Sequence, residues 1–462
     1  MRRTFSILLA LLFAAALHAA EKPNVLFIMA DDLRDYGGVF TRELVKTPNL
    51  DRLRARAVTF ERAYVQYPIC NPSRTSLFTG LRCEQTDVTG NKTMFREKLP
   101  DIVTLPQALR QQGWFAACYG KIFHLGGGRN RAAWMDEGKS WDEAKAFKST
   151  AAGEIVEGRN VTGDALKWCH WGATAGTEDD QPDGQTAVAA IAAIEKQTAA
   201  GRPWFIGAGF HRPHDPFVAP KKYFDLYPID ALPLWRDPAG QTPAPPLAVG
   251  FGELGKAFAK FTDREWRELL RAYCAGTSFM DAQVGRLLDL LDHRKLWDKT
   301  LVVFVGDHGY HTGERGWWNK GTLFERSCRA PLIIAAPGVK GGQTSRSLVE
   351  FVDLYPTVAD LCGVKAAHAL AGASLRSVLA DPRAAVKDAA FTLAMNGGKP
   401  SRSIRTERWR FTQWHDGQTE LYDHHNDPEE THNVAAQPEH ATLIQALRGR
   451  IAPIAALSPK TP

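Results

Sequence analysis

The amino-acid sequence predicts an α/β fold in which a large, mostly parallel sheet is flanked by helices, with a smaller C-terminal domain made of an antiparallel sheet and one helix. Short apolar runs recur at residues 24–29, 115–119, 204–209, 301–305 and 332–336. Strands that are apolar on both faces belong in a sheet covered on both sides. Segments of helical periodicity fall between them, at 50–57, 105–112, 186–198, 264–293 and 354–361, and strands alternating with helices close into parallel sheets through crossovers. The stretch 125–183 is rich in Gly, Ala, Asp and Trp with poor periodicity. It reads as loops and short helices, the kind of insertion that forms a rim over a binding site. After about residue 364 the pattern changes to an Ala-rich connection, alternating segments at 403–414 and 419–422, and a last helix at 439–451. The expected division is 1–20 as a signal peptide, 21–364 as the main domain and 365–462 as the smaller one.

With 462 residues, 44% of them hydrophobic and 23% charged, the chain has the composition of a globular protein. Arg2 and Arg3 precede an apolar run over residues 5–17, and small residues follow at Ala19 and Ala20. This reads as a secretory signal, since a helix needs about 20 residues to span a bilayer. Arg2-Arg3-Thr4-Phe5 also resembles a twin-arginine signal. The expectation is an exported protein, periplasmic or secreted, with no membrane association after signal cleavage. Removing Arg2 and Arg3 lowers a formal net charge that is only +6 to begin with. Nucleic-acid binding would need clustered basic residues with interleaved aromatics, and no such cluster is present. The cysteines at 70, 83, 118, 169, 274, 328 and 362 form no CxxC pair and no zinc spacing. Disulfides are permitted in an oxidising compartment, but the sequence does not choose among pairings.

In open α/β sheets ligands bind at the carboxyl ends of the strands, where loops and helix N-termini converge. Here those ends carry Asp31 and Asp32 after the first strand, Lys121 and His124 after the second, His211 and His214 after the third, and Asp307 and His308 after the fourth. Adjacent carboxylates repel unless a cation or proton lies between them, and Asp31, Asp32 and Asp307 together suit a hard ion, Ca²⁺ or Mg²⁺. An isolated Asp-Asp pair is more often a solvated turn. The independent arrival of Asp307 at the same edge argues for a metal site.

One window is more specific. Cys70-Asn71-Pro72-Ser73-Arg74, continuing through Leu77, Thr79 and Gly80, resembles the sulfatase signature Cys-x-Pro-Ser-Arg with its Leu-x-Thr-Gly-like end. Pro72 is expected to fix the turn and Ser73 to cap a helix starting there, so that Arg74 points back at residue 70. A buried, inert cysteine is the alternative reading, and five matching positions in one window count against it. The resemblance extends over nearly the whole mature chain, through residues 23–32, 47–51, 278–289 and the 420–428 segment. Within the family the likeness is greatest to the iduronate-2-sulfatase subgroup, on Gly120-Lys121-Ile122-Phe123-His124, Phe210-His211-Arg212-Pro213-His214 and Asp307-His308-Gly309.

The resemblance implies an alkaline-phosphatase-like/sulfatase fold and a sulfuric ester hydrolase whose Cys70 is oxidised to formylglycine by a separate maturation enzyme. It implies Asp31, Asp32, residue 70, Asp307 and His308 around the metal, Ca²⁺ before Mg²⁺. Most family members carry Asn where His308 stands, and imidazole is a less natural partner than an amide oxygen for a hard cation. Mechanistically it implies attack on sulfur by one hydroxyl of the hydrated formylglycine, with His211 or Lys320 protonating the leaving alcohol. His124 then takes a proton from the second hydroxyl to expel sulfate, while Arg74 and Lys121 offset developing charge. The implied substrate is a sulfated polysaccharide or oligosaccharide, with a 2-O-sulfated uronic acid as the sugar. Two rivals are a formylglycine-dependent phosphonate or phosphate-ester hydrolase and a non-catalytic glycan-binding relative. His214 and His311 are assigned no catalysis and are expected to be structural or to support the site from behind, and His424, His425 and His432 to be solvated.

Overall fold

A computed structural model describes residues 22–126, 131–249 and 252–451. The signal segment expected at 1–20 lies outside the described residues. The main sheet has eight strands, in the order Gln343–Ser345, Val58–Phe60, Leu332–Ala335, Thr300–Gly306, Asn24–Asp31, Trp204–Pro213, Phe115–Gly120 and Glu143–Lys145. Five of its seven pairings are parallel; the Leu332–Ala335 strand runs antiparallel to both neighbours. The Asn24–Asp31 strand, buried beyond its first residue, sits between Thr300–Gly306 and Trp204–Pro213.

The two periodicities of the sequence meet in the core. Leu26 and Ile28 face one hydrophobic cluster, and Val25, Phe27 and Met29 face another, because successive strand side chains alternate between faces. Helices Pro182–Ala199 and Asp263–His293 cover the first face through Ala187, Ile194, Phe279 and Leu287. Helices Cys70–Thr79, Leu105–Gln111 and Leu354–Leu361 cover the second through Leu77, Phe78, Leu109 and Val358. Each fully buried aliphatic side chain contributes ~1.5–3 kcal/mol relative to exposure, so the strand pattern and the helix pattern stabilise each other.

Two expectations need correction. The 125–183 insertion is not only loops and short helices: Ile155–Asn160 and His170–Thr174 pair and continue into Phe217–Pro220 as a three-stranded sheet. The outer strand is solvent-exposed along almost its whole length, so it carries no hydrophobic period. Its neighbour is the one that packs inward, where Trp171 donates to Glu268 at 3.1 Å. The alternating stretch 403–414 is two strands, Lys399–Thr406 and Trp409–Gln413, joined by a tight turn, and the sheet gains a further strand, Ala389–Asn396, beside them. With Thr419–Asp423 these make the antiparallel C-terminal sheet, against which the Ala441–Ile451 helix packs. Arg410 of this sheet bridges Glu325 of the short Glu325–Cys328 helix at 2.5 Å and Glu430, beyond the last strand, at 2.6 Å. All seven cysteines are buried free thiols. Among the described residues no helix is long and apolar enough to cross a membrane.

Candidate active site

Because the central strands are parallel, their carboxyl ends lie on one edge, and the chemistry collects there. Asp31 closes the Asn24–Asp31 strand and Asp32 follows with a φ of 60°. A left-handed conformation costs a non-glycine residue ~1–2 kcal/mol, least for Asp and Asn. The turn is held by Tyr273 of the long Asp263–His293 helix, whose hydroxyl donates to the Asp32 carbonyl at 2.6 Å and accepts from the Arg34 amide at 3.0 Å. Arg34 in turn reaches Glu314 at 2.7 Å. At the end of the Phe115–Gly120 strand, Gly120 (φ 77°) turns the chain toward Lys121, and a Cβ there would stand 2.1 Å from the Gly209 carbonyl oxygen. Asp183, at the start of the Pro182–Ala199 helix, accepts from the amides of His211 at 2.7 Å and Arg212 at 2.9 Å and so sets the loop after the Trp204–Pro213 strand.

Cys70 is the first residue of its helix, with Ile69 as the cap. The helix therefore begins three residues before the position expected for a Ser73 cap. Pro72 falls in the first turn, where its missing N–H leaves no bond unmade, and the Ser73 hydroxyl donates to the Asp307 carbonyl at 2.5 Å instead. Gly80 ends the helix in the left-handed region. Arg74, buried, spans the site: its Nε meets Asp307 at 2.9 Å, its Nη2 meets Asp31 at 2.8 Å, and its Nη1 donates to the carbonyls of Lys121 and Ile122. It fastens the ends of three strands rather than hydrogen-bonding to residue 70.

Around the Cys70 sulfur stand Lys320 Nζ at 3.2 Å, His308 Nε2 at 3.4 Å and Asp32 Oδ1 at 3.9 Å. Lys320 also pairs with Asp32, and Lys121 with Asp31. His308 Nε2 lies 3.2 Å from Asp32 and 3.6 Å from Asp307. Eight of the expected site residues, Asp31, Asp32, Cys70, Arg74, Lys121, Asp307, His308 and Lys320, thus form one connected group. His124 and His211 do not hydrogen-bond to Cys70. They lie farther out and sense the group through Lys121 and Asp31.

The acidic groups gathered here could hold a metal ion. Burial, with Asp31 and Asp307 adding repulsion against the pull of Lys320 and His308, pushes the Asp32 carboxyl up to about 6. Burial would also raise Asp31, but Lys121, His214 and Arg74 hold it well below the usual carboxylate range. Asp32 Oδ2 is buried without a hydrogen-bond partner. His308 Nδ1 faces the Gly309 carbonyl at 2.9 Å; a carbonyl only accepts, so Nδ1 carries a proton and Nε2 is the nitrogen presented to Asp32, Asp307 and residue 70. A ring nitrogen donating to a main-chain carbonyl is the usual support for a metal-binding imidazole. The donor set therefore fits a divalent ion, His308 included. Burial, followed by the nearby Asp31, raises the Cys70 thiol well above its ordinary pKa. As a thiol it is neutral and a poor nucleophile. Burial and then Lys121 push His124 down to about 3, so its ring is neutral, and its Nδ1 is buried without a partner.

His214, expected to be structural or to support the site from behind, sits with its Nε2 3.8 Å from both Asp31 and Asp32 and its ring 5.1 Å from that of His211. Three contributors escaped the sequence reading. Tyr273, Arg34 and Asp183 act through hydrogen bonds to main-chain atoms or through a partner far away in sequence, and no local pattern announces such roles.

A family model described as Sulfatase matches residues 23–364, and a second, described as N-sulphoglucosamine sulphohydrolase, C-terminal, matches residues 313–456. A sulfatase of Formosa agariphila is 31% identical over 465 residues, covering 96% of this chain and 87% of that protein. Human iduronate 2-sulfatase is 31% identical over 389 residues, covering 74% of this chain and 69% of its own. Among solved structures, the phosphonate monoester hydrolase of Silicibacter pomeroyi superposes with a TM-score of 0.79 at 24% identity, over 94% of this chain and 97% of that one. At that identity the likeness is one of fold.

Proposed function

The chain belongs to the sulfatase family, and from that premise we propose that it hydrolyses O-sulfate esters of a sulfated polysaccharide or oligosaccharide, acting on a 2-O-sulfated uronic acid through a formylglycine made from Cys70. The observation that carries the reading is the setting of residue 70: a buried thiol, unfit as a nucleophile in its own right, on the first turn of a helix against Asp32, His308 and Lys320. Such a setting has a use if the side chain is converted by a maturation enzyme. Likeness to iduronate 2-sulfatase supports the choice of sugar.

A divalent ion, Ca²⁺ in preference to Mg²⁺, would be held by Asp31, Asp32 and Asp307 with His308 and residue 70, and would supply charge neutralisation of the sulfate and acidification of a hydroxyl. Formylglycine would supply, as its hydrate, one hydroxyl to attack sulfur and a second to drive sulfate off. The rest falls to the chain's own groups. Arg74 keeps the carboxylates of Asp31 and Asp307 aimed inward, and Lys121 offsets charge beside Asp31. Lys320, 3.2 Å from the residue 70 sulfur, is the better positioned of the two candidate donors to the leaving alcohol, since His211 makes no contact there. His124, neutral and with an unpartnered Nδ1, is suited to accept the proton of the second hydroxyl. Export to the periplasm or outside the cell belongs to the same reading.

The test is a comparison of initial rates on an aryl sulfate, an aryl phosphate and an aryl phosphonate, followed by sulfate release from a panel of sulfated sugars. Faster turnover of the sulfate, and release from 2-O-sulfated uronic acid, are expected. Faster turnover of the phosphonate would replace this reading with that of an ester hydrolase of the kind the Silicibacter structure represents.

A further inference from the structure

Where the edge of the main sheet meets the C-terminal sheet, two clefts of about 260 and 530 Å³ share Arg62 and Arg346 as common wall, and none of the residues gathered around Cys70 lines either. Arg62 follows the Val58–Phe60 strand, Arg346 follows Gln343–Ser345, and Arg405 comes from Lys399–Thr406 of the C-terminal sheet. The charges of these three guanidiniums are only partly compensated: Glu325 and Glu61 stand within ion-pair range of Arg405 and Arg346, and Glu407 acts weakly on Arg62. The half-buried Arg62 side chain makes no ion pair or hydrogen bond among the described residues. Burial, then Arg405, and more weakly Arg346, depress its pKa, so the like charges feel one another. Arg405 is buried, and its Nε has no hydrogen-bond partner. Its nearest carboxylate oxygen, Glu325 Oε2 at 3.5 Å, is already engaged by Arg410 at 2.5 Å. Arg346 stands 3.6 Å from Glu61 and is 75% exposed.

Juxtaposed like charges with an orphaned buried N–H call for an anion, and the planar fork of arginine suits a tetrahedral oxyanion through paired hydrogen bonds. We infer that this furrow is a second, non-catalytic binding site for sulfate groups, whose occupant is a sulfated segment of the polysaccharide that the chain acts on. This rests on the carbohydrate reading above. A polymer held there raises the effective concentration of its other sulfate esters at Cys70 without any new catalytic contact.

The test uses the chain with Cys70→Ala, which binds without turning over, with and without Arg62→Gln and Arg346→Gln, titrated with a heparin oligosaccharide and separately with inorganic sulfate. The double substitution is expected to weaken heparin binding about ten-fold or more, and Arg346→Glu alone, on an exposed side chain, to act in the same direction. Loss of heparin binding with inorganic sulfate binding unchanged assigns the furrow to the polymer. Loss of both assigns it to the sulfate group whether free or esterified, and each outcome supports the site. Heparin binding as tight in the double variant and in Arg346→Glu as in the parent overturns it. In the chain with Cys70 intact, turnover of a small aryl sulfate is expected to be the same with and without the arginine substitutions. No turnover in the parent would count against the catalytic reading, while the heparin titration would still decide the furrow.

Discussion

Replacing Glu314 with Gln removes the charge that compensates Arg34, the residue two beyond Asp32. The Arg34 side chain is fully buried and Glu314 is 6% exposed, with 2.7 Å between Nη1 and Oε1. Burial by itself would raise the Glu314 carboxyl, but Arg34 and Arg326 outweigh it and hold the group down at about 2, against an ordinary 4.5. That difference corresponds to about 3 kcal/mol of folding free energy, in line with the ~3–5 kcal/mol lost when one partner of a buried pair is removed. The sign is fixed by the direction of the shift. A depressed carboxylate stabilises the fold above its unfolded pKa, and the contribution is lost as pH falls from about 4.5 toward 2. Urea unfolding at pH 7 should therefore show Glu314→Gln less stable by about 3 kcal/mol, with the gap falling to less than half at pH 3. A gap under ~1 kcal/mol at pH 7, or one that does not change on acidification, would refute the argument that this pair is held by charge.

Other perturbations act nearer the reacting position. Tyr273→Phe leaves the Asp32 carbonyl and the Arg34 amide without their shared hydroxyl, which costs ~1–3 kcal/mol. Calcium dependence of activity should shift to ~10–100-fold higher concentrations, and unchanged calcium affinity would make Tyr273 an ordinary core residue. His124→Ala should release aryl alcohol in a single burst while sulfate release slows by ~10²-fold or more; steady turnover at the parent rate would remove His124 from the mechanism. Chelation should abolish activity, and Ca²⁺ should restore it better than Mg²⁺. Full activity in chelator would mean that the orphaned Asp32 oxygen does not serve a cation.

The parts of the fold legible in the sequence were those where one period dominates. The five apolar runs became five strands of the main sheet, and each helical segment became a helix, because burial on both faces leaves an unmixed signal. The exposed Ile155–Asn160 strand had no such signal; its pairing is set by a neighbour ten or more residues away. The site divides the same way. Asp31, Asp32, Cys70, Arg74, Lys121, Asp307 and His308 follow strand ends or a local motif, and they meet because parallel strands share an edge. The start of the Cys70 helix was misread, since proline in a first turn fits more than one helical position and Ser73 found its acceptor on another strand. Tyr273 and Arg34 were invisible because what they hold is main chain, whose chemistry is the same at every residue.

The central claim concerns the side chain at position 70. Mass spectrometry of the tryptic peptide 63–74, taken from active protein made together with a maturation enzyme, reads it directly. A peptide lighter than the cysteine form and reactive toward a hydrazide is the predicted result. Fully active protein in which that peptide still alkylates as an unmodified thiol would contradict it.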